Sequence, residues 1–349
     1  MASGITLGGI TVVGGGIFGL ACAWELARRG ARVRLIEADR LGAGSSGGTV
    51  GALAPHVPEP WNDKKALQRD ALVAAEGWWA EVAAAGGVDP GYGRTGRLQP
   101  LVEGPALDDR IAAARARWRG FAMWREGAPR GPLVPESATG WLADDITARI
   151  APRRALAALA AAIRAAGGEI VEGAGAQHPD RLDAGGGPVI WATGAPGLAD
   201  LSADLGRPMG GGVKGQSALL GFAAPEAPQV FADGLHIVPH ADGTVAIGST
   251  SERDAVTPGP DAQLDALIAR AVAICPALAG AEVIDRWAGV RPRALSRAPL
   301  VGAWPGRPGH FIANGGFKIG FAMAPPVAGM LADLLLTGVD RIPAGFRPD

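Results

Sequence analysis

The chain has 349 residues, 48% of them hydrophobic and 19% charged, so it is long enough for two domains and too apolar to be disordered, collagen-like or a disulfide mini-scaffold. Its 33 basic and 34 acidic residues leave a net charge of −1, which gives no global electrostatic footprint for nucleic acid or an anionic membrane. Two cysteines, Cys22 and Cys275, build no disulfide framework and have no CxxC or metal-ligand neighbour, so no metal site is expected and a reducing compartment fits.

In chain order, Ile10-Thr11-Val12-Val13 reads as a short buried parallel strand that breaks at three glycines. Phe18 to Arg29 reads as a helix with Leu20, Ala21, Trp24 and Ala27 on one face, stopped by Gly30. Val33 to Ile36 is a second strand, closing a βαβ unit, and Glu37 stands at its end. Helical patterns follow over Trp61 to Ala85, with Trp78 and Trp79 expected to divide between core and surface, and over Pro105 to Trp118. Arg153 to Ala166 is an Ala-rich helix, followed by strands at Glu169 to Val171 and Val189 to Thr193. Val230 to Ser249 is expected to form a hairpin turning at Ala241-Asp242-Gly243, and Asp261 to Ile274 a helix ended by Pro276. The last strand, His310 to Ala313, leads through a glycine-rich loop into a helix entered at Pro325-Pro326. The apolar N-terminus from Ile5 to Ala23 lacks the basic start of a signal peptide, and no stretch of about 18 uncharged apolar residues predicts a membrane span, so a cytoplasmic location is expected.

Gly14, Gly16 and Gly19 form GxGxxG between the first strand and helix, with Ile17 and Phe18 inside it. Gly14 permits the tight turn, Gly16 lets the backbone approach a pyrophosphate, and Gly19 lets helix and strand pack closely. The free N–H groups of the helix start favour the diphosphate. Glu37, 18 residues beyond Gly19, can accept hydrogen bonds from a ribose hydroxyl and would repel a 2′-phosphate, which points to FAD or NAD over NADP. Ala38 adjoins it, and the small-residue loop Leu41 to Thr49 brings Ser45, Ser46 and Thr49 toward phosphate or ribityl oxygens.

With that second loop in place, the chain resembles the D-amino-acid-oxidase-type FAD oxidoreductases, in the glycine oxidase, sarcosine oxidase and D-amino-acid dehydrogenase branch. The similar stretches are the N-terminus, Ala43 to Pro55, Val189 to Gly194, Lys214-Gly215-Gln216, His236 to Pro239, Trp287 to Pro292 and Asn314 to Pro325, leaving Gly104 to Ala148 weakly matched. The resemblance implies an α/β, mixed α+β fold, in which a Rossmann-like FAD domain (1–80, 145–205 and 285–349) interleaves with a smaller antiparallel-sheet substrate domain (81–144 and 206–284). It implies FAD contacts at Ala192, Thr193 and Gly194 and at Gly316, Phe317, Lys318, Ile319 and Gly320. It also implies a carboxylate-clamping arginine after a Trp-Ala-Gly strand, which here is Arg291. A guanidinium suits that role, because it offers parallel N–H donors and stays charged. Arg293 shares its face only if the strand continues past Pro292.

Lys318 is expected to supplement Arg291 at the carboxylate or to face the flavin pyrimidine. The branch often has tyrosine where His236 stands, and the only tyrosine is Tyr92, so His236 becomes the replacement and His56 the second polar pocket residue. Ser296 stands where an acidic residue is usual. No cysteine follows Arg291, which implies non-covalent FAD. The activity implied is oxidation of a small amino acid or N-substituted amino acid to the imine, by hydride transfer from the α-carbon to flavin N5, with oxygen or a quinone as acceptor. No nucleic acid partner is expected, and a homo-oligomer is compatible. The alternatives are a tRNA-modification-type FAD enzyme, an electron-transfer FAD subunit of a larger complex and a plain NAD dehydrogenase.

Overall fold

Two large sheets organise the chain. The structure is a computed structural model describing residues 9–104, 106–253 and 258–349. The first residues of the apolar N-terminal run and Pro105, the expected start of a helix, lie outside it.

The first sheet has six strands in the order Leu300–Ala303, His310–Asn314, Val189–Trp191, Ile10–Val13, Val33–Ile36 and Glu169–Val171. All neighbours run parallel except the first pair. Ile10–Val13 lies at its interior and is buried at every position, which is why it reads as an unbroken apolar run. Helix Ile17–Arg28 covers one face of the sheet with helices Asp63–Gly86, Pro152–Ala165 and Gly320–Thr337 around it. Helix Gly194–Leu205 packs Leu198 and Leu201 on the other face, against Trp191 and Trp304.

The second sheet has eight strands in the order Glu282–Ala294, Gly210–Gly221, Thr244–Gly248, Leu235–Pro239, Gln229–Ala232, Arg97–Pro100, Trp141–Asp144 and Met123–Glu126. It is antiparallel but for the pair joining Gln229–Ala232 to Arg97–Pro100. Helix Ala262–Ile274 closes its own apolar core with Leu264, Leu267 and Ala271. The weakly matched region is therefore ordered: it supplies the last two strands and helix Leu107–Arg117.

Several expectations are corrected by packing. Every residue from Ile17 to Ala27 is buried, not one face, because small residues let neighbours approach all around the helix. Trp78 and Trp79 are both buried, edge to face at 4.7 Å, because both extend the buried stripe of Leu72, Ala75 and Val82 on an otherwise half-exposed helix. Val230 to Ser249 holds three strands, not one hairpin. The extra turn is Asp233-Gly234, both at positive φ, the backbone a two-residue hairpin turn requires.

Helix Gly320–Thr337 starts five residues before Pro325, so both prolines lie beyond its first turn. Their burial-tolerant rings sit in a helix whose Met323, Val327, Ala328 and Leu331 are fully buried. Among the described residues this is the one helix long and apolar enough to cross a membrane, and it packs on Ile17–Arg28 inside the core. Two expected domain boundaries cut elements: 80/81 falls within helix Asp63–Gly86 and 284/285 within strand Glu282–Ala294.

Candidate active site

A cavity of about 830 Å³ runs between the two sheets, from Glu37 and Gln177 to Arg291 and Lys318. At its first end, the chain leaving Ile10–Val13 turns at Gly14, whose φ is 109°. A Cβ there would lie 2.4 Å from the Ala192 carbonyl oxygen, and one on Gly19 would lie 1.8 Å from that of Gly14. Only glycine lets these three segments converge. The Ile17 N–H donates to Ser46 Oγ at 3.0 Å, and the Gly15 N–H donates to Glu37 Oε2 at 2.6 Å. Glu37 also accepts from the Asp39 N–H at 3.1 Å, so its carboxylate is fixed at the cavity wall.

Ala38, Ser45, Ser46 and Thr49 line the same wall, and Thr49 Oγ1 donates to Ser217 Oγ at 2.9 Å. Ala192, Thr193 and Gly194 line it opposite, where Thr193 Oγ1 is buried with no hydrogen-bond partner. A buried orphan hydroxyl beside a glycine cradle at a helix N-terminus fits a dinucleotide with a diphosphate and ribose-like hydroxyls. Gly19 and Ile319 do not line the cavity; Gly19 serves the helix–strand approach, and Ile319 packs on the core.

At the other end, strand Glu282–Ala294 presents Arg291, only 8% exposed. Gly215 on the paired strand makes room: a Cβ there would lie 2.5 Å from Arg291 Cζ. Arg291 Nη1 donates to Ser249 Oγ and Nη2 to the Thr250 carbonyl, both at 2.6 Å, while its buried Nε–H has no partner. Burial pushes Arg291 down to about 10, which leaves it charged at neutral pH. The strand continues through Pro292 to Ala294, so Arg293 shares the face of Arg291; proline is tolerated because this is an edge strand. The Phe317 N–H donates to the Pro292 carbonyl at 3.0 Å, and Phe317 is held at a φ of 42°. Gly316, Phe317, Lys318 and Gly320 all line the cavity.

His236 also lines it, tilted against Phe231 at 4.6 Å, with Nδ1 buried and unpartnered. Burial, with Arg97 and Lys318 adding repulsion, pushes His236 down to about 3, so the imidazole is neutral at neutral pH. Between its ordinary 6.5 and about 3, the unfolded chain takes up a proton that the folded chain refuses, so stability falls as pH falls through that window. His236→Asn should flatten the pH dependence of the urea midpoint between those values, by up to about 1.4 kcal/mol per pH unit. An unchanged slope would refute a neutral buried His236.

His56 is not part of the cavity. Its N–H and Nδ1 both engage Gln68 Oε1, at 3.0 and 2.6 Å, which turns the exposed ring toward helix Asp63–Gly86. Sequence reading missed Ser249 and Thr250, whose only signal is their proximity to the His236 to Gly248 strands. It also missed the polar cluster behind them. Lys214 Nζ pairs with Asp261 at 2.8 Å and Glu252 at 3.3 Å, and Gln216 Nε2 donates to both carboxylates at 2.8 and 2.9 Å. Gln216 N–H donates to Thr250 Oγ1 at 2.9 Å, so this cluster fixes the segment that orients Arg291.

Residues 9–334 match the family described as FAD dependent oxidoreductase. The chain belongs to that family. It is an FAD-dependent oxidoreductase, and the glycine turn, Glu37 and the Ser45–Thr49 wall are the residues that could hold FAD. Among its relatives are glycine oxidase from Geobacillus kaustophilus, 29% identical over 93% of this chain and 92% of that protein. The oxidoreductase named ThiO from Rhizobium etli, assigned to thiamine biosynthesis, is 32% identical over 94% of this chain and 96% of its own. The crystal structure of the Geobacillus kaustophilus glycine oxidase superposes with a TM-score of 0.84 at 25% identity, covering 97% of this chain and 98% of that one.

Proposed function

We propose that the protein oxidises a small α-amino acid or N-substituted amino acid to its imine, with the substrate carboxylate held by Arg291. The observation that carries this reading is the Arg291 guanidinium itself: buried at the cavity end, fixed in plane by Ser249 and Thr250, with a donor left unpaired. Glycine oxidase activity in full-length relatives supports it. Bound FAD would supply the acceptor for the electron pair of the substrate Cα–H bond, chemistry that belongs to the cofactor.

The chain does the positioning. Arg291 fixes the carboxylate, which fixes the Cα beside it, and an oriented substrate gains more from proximity than from a strong base. His236 stays neutral on the cavity wall, and an uncharged imidazole there can accept a hydrogen bond from the amine, favouring an amine that gives up one proton as the C=N bond forms. Water then hydrolyses the imine to the oxo acid with release of ammonia or the N-substituent amine. Non-covalent FAD retention and a cytoplasmic setting belong to the same proposal.

The test is the visible spectrum of the purified protein, followed anaerobically as glycine, sarcosine and D-alanine are added. Bleaching of the flavin band by at least one is the expected result, and the rate of reoxidation in air then separates oxygen from a quinone as acceptor. A flavin band that none of them bleaches, with the further substrates named below also failing, would overturn the reading.

A further inference from the structure

Three cations converge on one ring. The Cζ atoms of Arg291 and Arg293 and the Nζ of Lys318 lie 5.2, 5.7 and 5.8 Å from the centre of Phe317. Arg291 and Lys318 line the cavity, while Arg293, two residues along the strand from Arg291, does not. Among the described residues none of the three side chains forms an ion pair. Glu252, whose charge reaches Arg291, is already engaged by Lys214, Gln216 and Thr250. Arg307, by contrast, pairs with both Asp180 and Asp204.

A single α-carboxylate would neutralise one of these charges. Arg291 is buried and Lys318 is exposed, both line the same cavity, and an anion that met Lys318 as well as Arg291 would relieve the repulsion between these like charges. Desolvation and the nearby Arg291 both lower the Lys318 ammonium from its ordinary value. His236 lines the same space and adds a neutral imidazole to its wall.

We infer that the preferred substrate carries a second carboxylate, which Lys318 holds while Arg291 holds the first. This rests on the amino-acid oxidation proposed above and narrows it to amino dicarboxylates. The second carboxylate sits either on the side chain or on the N-substituent. Two matched pairs separate these placements: D-aspartate against D-alanine, and iminodiacetate against sarcosine. Each pair differs by one added carboxylate.

The experiment is the reductive half-reaction of the FAD-loaded protein, measured anaerobically with all four compounds. At least one dicarboxylate should exceed its partner in kcat/KM by about 10-fold or more, the effect of one charge-assisted hydrogen bond. Lys318→Met should collapse that ratio towards one, through KM, and Lys318→Arg should retain most of it. Reduction by the monocarboxylates with no dicarboxylate preference would overturn this inference and leave the broader function standing. A ratio unchanged in Lys318→Met, with every substrate slowed alike, would also overturn it and assign the charge to the cofactor instead. Failure of all four to reduce the flavin would sink both.

Discussion

Arg291→Leu is expected to lower kcat/KM for carboxylate substrates by about 30-fold to several thousand-fold while FAD stays bound. Removing one partner of a buried, hydrogen-bonded charge pair costs about 2–5 kcal/mol, and each 1.4 kcal/mol is a factor of ten. The loss should appear mainly in KM if Arg291 holds ground state and transition state alike. Leucine also strips donors from Ser249 Oγ and the Thr250 carbonyl, so some loss of stability accompanies it. Arg291→Lys separates the two effects: it keeps the charge and loses the planar two-donor geometry, and it should recover part of the lost rate. Steady-state kinetics together with the flavin-to-protein absorbance ratio check this. Unchanged kinetics in Arg291→Leu would remove the clamp from the mechanism.

Gly19→Ala should cost the protein its cofactor. The added Cβ would lie 1.8 Å from the Gly14 carbonyl oxygen, a backbone atom that cannot step aside without moving the turn itself. Helix Ile17–Arg28 must then separate from strand Ile10–Val13, carrying away the N–H groups proposed to meet the diphosphate. Overpacking of this kind costs about 1–3 kcal/mol, so FAD binding should weaken by about 5- to 150-fold. Gly77→Ala is the matched control, because nothing lies within 4 Å of that position on helix Asp63–Gly86. The flavin content of the two purified variants decides it, and full occupancy in Gly19→Ala would mean that the helix can shift without cost.

The nucleotide end of the site was legible because it is local. Strand, glycine turn, helix, second strand and Glu37 follow one another within a single βαβ unit, and each step is dictated by short-range geometry. The substrate end is assembled from strand Glu282–Ala294, the segment at Ser249–Thr250, His236 and the turn at Phe317, which are far apart in the chain. Resemblance pointed to Arg291, but the residues that aim it, Ser249 and Thr250, carried no signal of their own. The turn at Asp233-Gly234 did carry one, an Asp-Gly pair between apolar runs. The longer turn at Ala241 to Gly243 masks it, because that turn alone accounts for a hairpin.

By itself, then, the sequence determined the βαβ unit and a dinucleotide of the FAD or NAD type, because those depend on glycine sterics and charge that act over a few residues, while the choice of FAD and of Arg291 came from family resemblance. Only the tertiary structure decided between the two histidines. Gln68, one helix away from His56, captures that ring, while burial against Phe231 leaves His236 neutral at the cavity wall. It likewise decided that Trp78 and Trp79 are both internal, and that Arg291, Arg293 and Lys318 share one aromatic ring. The physical reason is the same in each case. Burial, pairing and repulsion are set by what the rest of the chain packs against a residue, and strand pairing between Gly210–Gly221 and Glu282–Ala294 brings those neighbours together across a long span of sequence.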